Sequence, residues 1–283
     1  MTNNVKELFS LSGKTALITG GTGFLGKKHA EALLEYGATP ILLDIKGSTE
    51  HSLAFEFIEV DITKPQELKK AKDTVLSRYK KIDILINNAT NNPKVGQQKS
   101  DLTSQLEKRL EFFPLETWNA DLAVGLTGAF LCSQIFGAEM ARVGSGVILN
   151  IASDLALIGP DQRIYKKTGL PEYDQDGKAT KYKEIKQNVK PVSYSVVKSG
   201  LIGLTRYLAT YWAHRNVRVN ALCPGGVYEN QPADFVERLT NLIPLGRMAN
   251  PDEYKAAIVF LCSDASSYMT GSILSIDGGR TCW

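Results

Sequence analysis

Apolar runs that read as buried strands alternate along the chain with longer segments that read as amphipathic helices. The strand-like runs are KTALITG (14–20), TPILLDI (39–45), EFIEVDI (56–62), KIDILINNA (81–89), GVILNIAS (146–153), VRVNALCPG (217–225) and GSILSIDGG (271–279). Helix-like segments cover 24–37, 65–79, 115–142, 193–214 and 251–263. In 65–79, Pro65 opens the segment and Leu68, Ala71, Val75 and Leu76 recur at helical spacing. This alternation predicts an α/β chain, a parallel sheet covered by helices on both faces.

The chain has 283 residues, 43% of them hydrophobic, enough for one large domain. No repeat or linker divides it, so 1–283 reads as a single domain. The net charge of +3 makes no bulk electrostatic case for nucleic acid or a membrane. Residues 1–12 lack the apolar centre of a signal peptide. No uninterrupted apolar run approaches the roughly 18–20 residues of a membrane helix. Cys132, Cys223, Cys262 and Cys282 form no paired motif and read as reduced cytoplasmic thiols. His29, His51 and His214 lack metal-ligand spacing, and no metal site is expected.

Two segments interrupt the alternation, 91–113 after the fourth strand and 159–191 after the fifth. Both leave C-terminal strand ends, the edge where open α/β sheets bind ligands. The lysine-rich stretch 166–190 also holds Glu172, Asp174, Asp176 and Glu184, and it reads as a solvated loop.

The first strand runs into TGGTGFLG (19–26), in which Gly21, Gly23 and Gly26 make G-x-G-x-x-G. The motif follows a strand, opens a helix and is followed by Asp44 at a strand end, 18 residues after Gly26. That is the full context of the dinucleotide fingerprint. Glycines let the backbone approach a pyrophosphate, and the helix N-terminus offers it free N–H groups. Gly20, Gly21, Thr22, Gly23, Phe24, Leu25 and Gly26 are therefore expected at the cofactor. Asp44 can accept hydrogen bonds from ribose hydroxyls and would repel a 2′-phosphate, favouring NAD over NADP; Lys46 nearby weakens that preference.

SYSVVK (193–198) places Tyr194 and Lys198 four residues apart, on one face of a helix. A phenol has a pKa near 10, and a neighbouring cation lowers it toward use as a base. Together the motifs resemble the short-chain dehydrogenase/reductase family over most of the chain, from Gly13 to Gly279. TGGTGFLG matches its glycine motif and VDIT its acid beside the adenine, here Asp61 with Ile62. NNA matches the turn after the fourth strand, with Asn88 and Ala89, and Thr90 stands where glycine is usual. NIAS puts Ser153 at the catalytic serine position, beside Tyr194 and Lys198. CPGGV resembles the turn beside the nicotinamide, with Pro224, Gly225 and Val227, and IDGG the closing strand.

The resemblance implies a single-domain Rossmann fold, a doubly wound sheet. It implies an NAD(P)-dependent exchange of secondary alcohol and ketone, with Tyr194 as general acid–base, Lys198 on the nicotinamide ribose and Ser153 on the reacting oxygen. It also implies a homo-oligomer, tetramer or dimer, in which Trp283 suits burial against a neighbouring subunit. The longer insert pattern resembles a subset of the family associated with bacterial surface-sugar and flagellin modification.

Three departures stand out. VGLTG (124–128) carries Gly125 where the family has asparagine. Either the backbone carbonyl at 125, supported by Asp121, still holds the relay water, or the relay is damaged. Glu229 stands where a threonine often contacts the carboxamide. Ser153 and Tyr194 lie 41 residues apart, farther than is usual, so the 159–191 insert should overhang the site. Its polarity suits a hydroxylated substrate, with Arg163, Tyr165, Lys166, Lys167 and Tyr173 as contacts. The competing expectations are a 3-oxoacyl-thioester reductase and a weakly active NAD-binding sensor or partner subunit.

Overall fold

The computed structural model describes residues 4–47, 55–91, 107–165 and 188–283. Seven parallel strands form one sheet: β1 (Thr15–Thr19), β2 (Thr39–Asp44), β3 (Glu56–Glu59), β4 (Ile84–Asn87), β5 (Gly146–Ile151), β6 (Val217–Pro224) and β7 (Ile273–Ile276). Their order across the sheet is β3-β2-β1-β4-β5-β6-β7. The winding therefore reverses between β1 and β4, which pair with Ala16 opposite Ile84. A ligand crevice opens at such a reversal, outside the strands' C-terminal ends.

Successive side chains of β1 serve opposite faces, as strand geometry requires. Leu17 packs with Ile41, Leu85, Phe136, Met140 and Trp212 on one face. Ala16 and Ile18 pack with Leu33, Leu42, Ile86, Tyr254 and Ile258 on the other. Every residue of β1 and β4 is buried. The sheet is thus covered on both sides, and this is why its central strands read as continuous apolar runs.

The expected helices are found, with the Pro65–Tyr79 helix opening on its proline. Three elements carried no clear period: a capped turn of helix at Val5–Leu8, a helix at Ala233–Thr240 and short 3₁₀ turns around the site. The Leu115–Val143 helix is long and apolar enough to cross a bilayer by length and composition. Here it is a core helix, with Ala129, Cys132, Phe136 and Met140 buried against the sheet. It widens into i→i+5 turns at Ala123–Thr127 and Ser133–Gly137, a geometry common beside functional sites.

A buried polar ladder ties this helix and the Val192–Tyr211 helix to the sheet. Asn87 Nδ2 donates to Ser133 Oγ (3.1 Å) and to Asn150 Oδ1 (2.8 Å), and Asn150 Nδ2 donates to Thr205 Oγ1 (2.8 Å). Hydrogen-bonded groups of this kind fix one arrangement of the elements they join.

Candidate active site

One cavity of about 810 Å³ runs along the C-terminal ends of the strands. Its first end is built largely from main chain. Gly20 sits at φ +61°, and a Cβ there would meet Ala89 Cα at 2.9 Å. A Cβ on Gly26 would meet the Gly20 carbonyl oxygen at 2.3 Å. Asn88 braces the turn, its Nδ2 donating to the carbonyls of Thr19 (3.0 Å) and Gly20 (3.1 Å). The Phe24–Glu35 helix opens on Gly23 with no side-chain cap. Its first N–H groups are therefore left for a ligand. Gly20, Gly23, Phe24, Leu25, Asp44, Asp61, Ile62, Asn88 and Ala89 line the cavity. Gly21, Thr22 and Gly26 do not; they shape the turn instead. Gly21 lies against Leu42, and Thr22 donates to Asp44 Oδ2 from its N (3.2 Å) and Oγ1 (2.7 Å). Asp61 Oδ1 likewise accepts from Thr63 N (2.9 Å) and Oγ1 (2.7 Å). An uncapped helix N-terminus, a glycine cradle and two fixed carboxylates fit a dinucleotide.

The other end is built from side chains. Ser153, Tyr194 and Lys198 line it together, with Pro224, Gly225 and Val227 on the adjoining wall. Lys198 is buried, and its Nζ donates to the Ile151 carbonyl (2.7 Å). Burial, with the repulsion of Lys190 next, lowers its pKa to about 7. Burial also pushes the Tyr194 phenol up to about 12, opposed by its hydrogen bond with Ser153. The expected approach of Lys198 to the phenol is modest: its Nζ lies 5.7 Å from the ring centroid.

Sequence reasoning missed three charged residues here. Lys190, assigned to a solvated loop, is half-buried in the cavity wall, its Nζ 3.5 Å from the centroid of the Tyr194 ring. Asp154 is buried; its Oδ1 accepts from Ser153 Oγ and Leu155 N, both at 2.8 Å. Its Oδ2 lies 3.1 Å from Nη1 of buried Arg280. Burial raises the Asp154 pKa and the Arg280 charge opposes that rise. The Asp277 carboxylate holds the final turn that presents Arg280, accepting from Gly279 N, Thr281 N and Thr281 Oγ1. A signal for Lys190 was available: it precedes Tyr194 by the same four residues that separate Tyr194 from Lys198.

Gly125 has a packing reason. A Cβ there would meet Val197 Cγ1 at 2.5 Å, with Thr90 Oγ1 at 3.5 Å. The valine in SYSVVK therefore takes the space an asparagine would need. Asp121 does not line the cavity; it accepts a hydrogen bond from Ser193 Oγ. Of the expected insert contacts, Tyr165 lines the cavity, while Arg163 ion-pairs with Asp161 and does not. Lys166, Lys167 and Tyr173 lie outside the described residues. Glu229 lines the cavity. Among the described residues no three His, Cys, Asp or Glu converge as a metal site.

The short chain dehydrogenase family model matches residues 14–165, and a model described as enoyl-(acyl carrier protein) reductase matches 180–281. The chain belongs to the short-chain dehydrogenase/reductase family. It is 33% identical to the NAD-dependent glycerol dehydrogenase of Listeria innocua, over 96% of each chain. It is 31% identical to the D-threitol dehydrogenase of Mycolicibacterium smegmatis, over 96% of this chain and 95% of the other. The crystal structure of a short-chain dehydrogenase from Leptospira borgpetersenii with bound NAD+ superposes with a TM-score of 0.77. That protein is 32% identical, and the match covers 99% of this chain and 97% of the other. As a member of this family the protein is an NAD(P)-dependent oxidoreductase that acts on secondary alcohols.

Proposed function

We propose that the protein is an NAD(H)-dependent dehydrogenase of a small, polar, sugar-like alcohol, with Tyr194 as general acid–base. One observation carries the reading. Ser153, Tyr194 and Lys198 meet in one cavity whose substrate end also holds Asp154, Lys190, Asn230, Gln231 and Arg280. Polar groups fixed in a pocket wall orient hydroxyl-bearing ligands. Bound NAD supplies the hydride acceptor. Tyr194, as phenolate, takes the hydroxyl proton of the substrate and returns one in the reverse direction. Ser153 Oγ holds the reacting oxygen within reach of the phenol. Lys198, anchored on the Ile151 carbonyl and 5.7 Å from the Tyr194 ring centroid, would hold the nicotinamide ribose.

Asp44 supports NAD over NADP. Its carboxylate is fixed at the cavity by Thr22, where a 2′-phosphate would meet like charge. The glycerol dehydrogenase relative is named as NAD-dependent, and the Leptospira structure holds NAD+. Exposed Phe130, Tyr207, Tyr211 and Trp283 support a homo-oligomer, and the family resemblance supports a cytoplasmic location. A second reading, reduction of a 3-oxoacyl thioester, is favoured by one patch: Ile164, Phe235, Leu239 and Met248 also line the cavity. Val197 supplies a packing reason for Gly125 and so weighs against the sensor reading.

The test is a fluorescence titration with NADH and with NADPH, then turnover on a panel of polyols, sugar acids and acetoacetyl thioesters beside Tyr194→Phe. Tighter binding of NADH and turnover of a polyol or sugar acid are expected. Tyr194→Phe should bind NADH as before and lose about 10²–10⁴ in rate. Preferred use of NADPH with an acetoacetyl thioester would overturn the reading.

A further inference from the structure

Two lysines lie close to the Tyr194 ring, and the nearer is not the one four residues after it. Lys190 Nζ is 3.5 Å from the ring centroid, against 5.7 Å for Lys198. Its position is built rather than incidental. Gln162 clasps its main chain, with Oε1 accepting from Lys190 N (2.9 Å) and Nε2 donating to Lys190 O (3.3 Å). Pro191 then caps the Val192–Tyr211 helix at φ −58°. The turn carrying Gln162 is itself pinned, because Arg238 Nε donates to the Ile164 carbonyl (2.9 Å).

We propose that Lys190, held over the face of the Tyr194 ring, is a second cationic partner of the phenol and favours its phenolate during alcohol oxidation. This rests on Tyr194 being the base. A cation over an aromatic face is attracted to the ring's negative face, and the attraction grows when the ring system carries a full negative charge. Among the described residues, the groups facing Tyr194 are Lys190 ahead of its own helix, Lys198 on that helix, Ser153 and Asp154 after β5, Tyr165 in the turn Gln162–Tyr165, and Arg280 in the final turn. Asp154 opposes the phenolate and is itself offset by Arg280. Among the described residues, the Ser153 hydrogen bond and the two lysines are then the groups that favour it. Burial lowers Lys190 to about 8 and Lys198 to about 7, the latter also through repulsion between them. The two lysines and the phenol thus share their protons as one coupled set. Loss of the phenol proton relieves the repulsion, and Lys190 adds to that relief because it sits on the ring.

The experiment is an ultraviolet titration of the phenolate band in the protein with NAD+ bound. The chain holds 11 tyrosines, so Tyr194 is isolated as the difference between a protein and its Tyr194→Phe partner. Lys190→Met is compared with Lys190→Met/Tyr194→Phe, and Lys190→Arg is the conservative control. An opposite charge within about 4–6 Å lowers a pKa by about 1–3 units, so Lys190→Met should move the Tyr194 ionisation up by about one pH unit. The rising limb of kcat/KM for oxidation should move by the same amount, with about tenfold less activity below it. Lys190→Arg should restore both. Melting temperatures confirm that each variant is folded; if Lys190→Met is not, Lys190→Gln takes its place. An unmoved ionisation in a folded Lys190→Met protein would overturn the proposal, as would a loss confined to KM for anionic substrates. Should Tyr194→Phe itself keep full activity, the fault lies in the reading of Tyr194 as the base.

Discussion

The two ends of the cavity are made of different material. The cofactor end is a contiguous stretch of backbone, Gly20 to Gly26, with two carboxylates fixed by neighbours two and 22 residues away in sequence. The substrate end is assembled from side chains at 153–154, 164–165, 190, 194, 198 and 280. One end presents main-chain dipoles whose directions follow from φ and ψ. The other presents ionised groups whose strength depends on which partner stands beside each. The difference predicts two kinds of failure. Damage at the cofactor end should act through shape and appear in dinucleotide affinity. Damage at the substrate end should act through charge and appear in stability, pH dependence and rate.

The largest expected effect falls on the substrate end. Asp154 and Arg280 keep 5% and 6% of their side-chain surface exposed, so neither charge has much water to fall back on. Arg280→Met leaves the Asp154 carboxylate buried without its counter-charge, which costs about 3–5 kcal/mol. Denaturant unfolding should show that loss. Asp154→Asn with Arg280→Met should recover most of it, because the double variant leaves no buried charge unpaired. If the double variant is no more stable than Arg280→Met alone, the pair does not act through charge and the contrast between the ends fails.

The converse test belongs to the glycine turn. Gly26→Ala would put a Cβ at 2.3 Å from the Gly20 carbonyl oxygen, a main-chain atom that cannot swing aside. Overpacking of this kind costs about 1–3 kcal/mol. The displaced Gly20–Gly23 segment should also bind NADH at least tenfold more weakly, since about 1.4 kcal/mol lost at the phosphate contacts suffices. A titration of NADH fluorescence reads this directly. Unchanged affinity in Gly26→Ala would mean that the turn does not hold the dinucleotide.

The same contrast explains what could be read from residues alone. The succession of strands and helices, both helix layers and the glycine turn follow from local rules: two-sided burial, 3.6-residue spacing, and glycine where the backbone must turn or approach closely. Asp44 was legible because a strand end projects it at a fixed distance from the turn. Lys190 carried only the faint signal of its four-residue spacing to Tyr194, because it sits in a polar, lysine-rich stretch and is held at the cavity by a main-chain clasp from Gln162, 28 residues away. Arg280 follows a recognisable closing strand, yet its partner is 126 residues earlier, and no period or motif links them. The Ala233–Thr240 helix escaped for a related reason: it packs on Ile164 in a small satellite cluster with Leu239, Ile243 and Met248, apart from the sheet whose alternation guided the reading.

The smallest effect sharpens the boundary between the two ends, where Gly125 faces Val197. A Cβ at 125 meets Val197 Cγ1 at 2.5 Å and Cγ2 at 3.5 Å, so the obstacle is one branched side chain and not backbone. Gly125→Asn alone should therefore lower stability by about 1–3 kcal/mol. Adding Val197→Ala removes both offending methyl groups. The cavity that this opens is largely refilled by the asparagine, so the double variant should lie within about 1.5 kcal/mol of the starting protein, as volume-conserving exchanges do. NADH affinity should stay within about twofold throughout, because no main-chain atom of the glycine turn moves. Thermal melts of the two singles and the double complete the cycle, and coupling between the substitutions is its readout. Additive losses would show that Val197 is not what excludes a side chain at 125. The glycine would then mark a defect in the proton path, and the substrate end would resemble the cofactor end in being limited by shape.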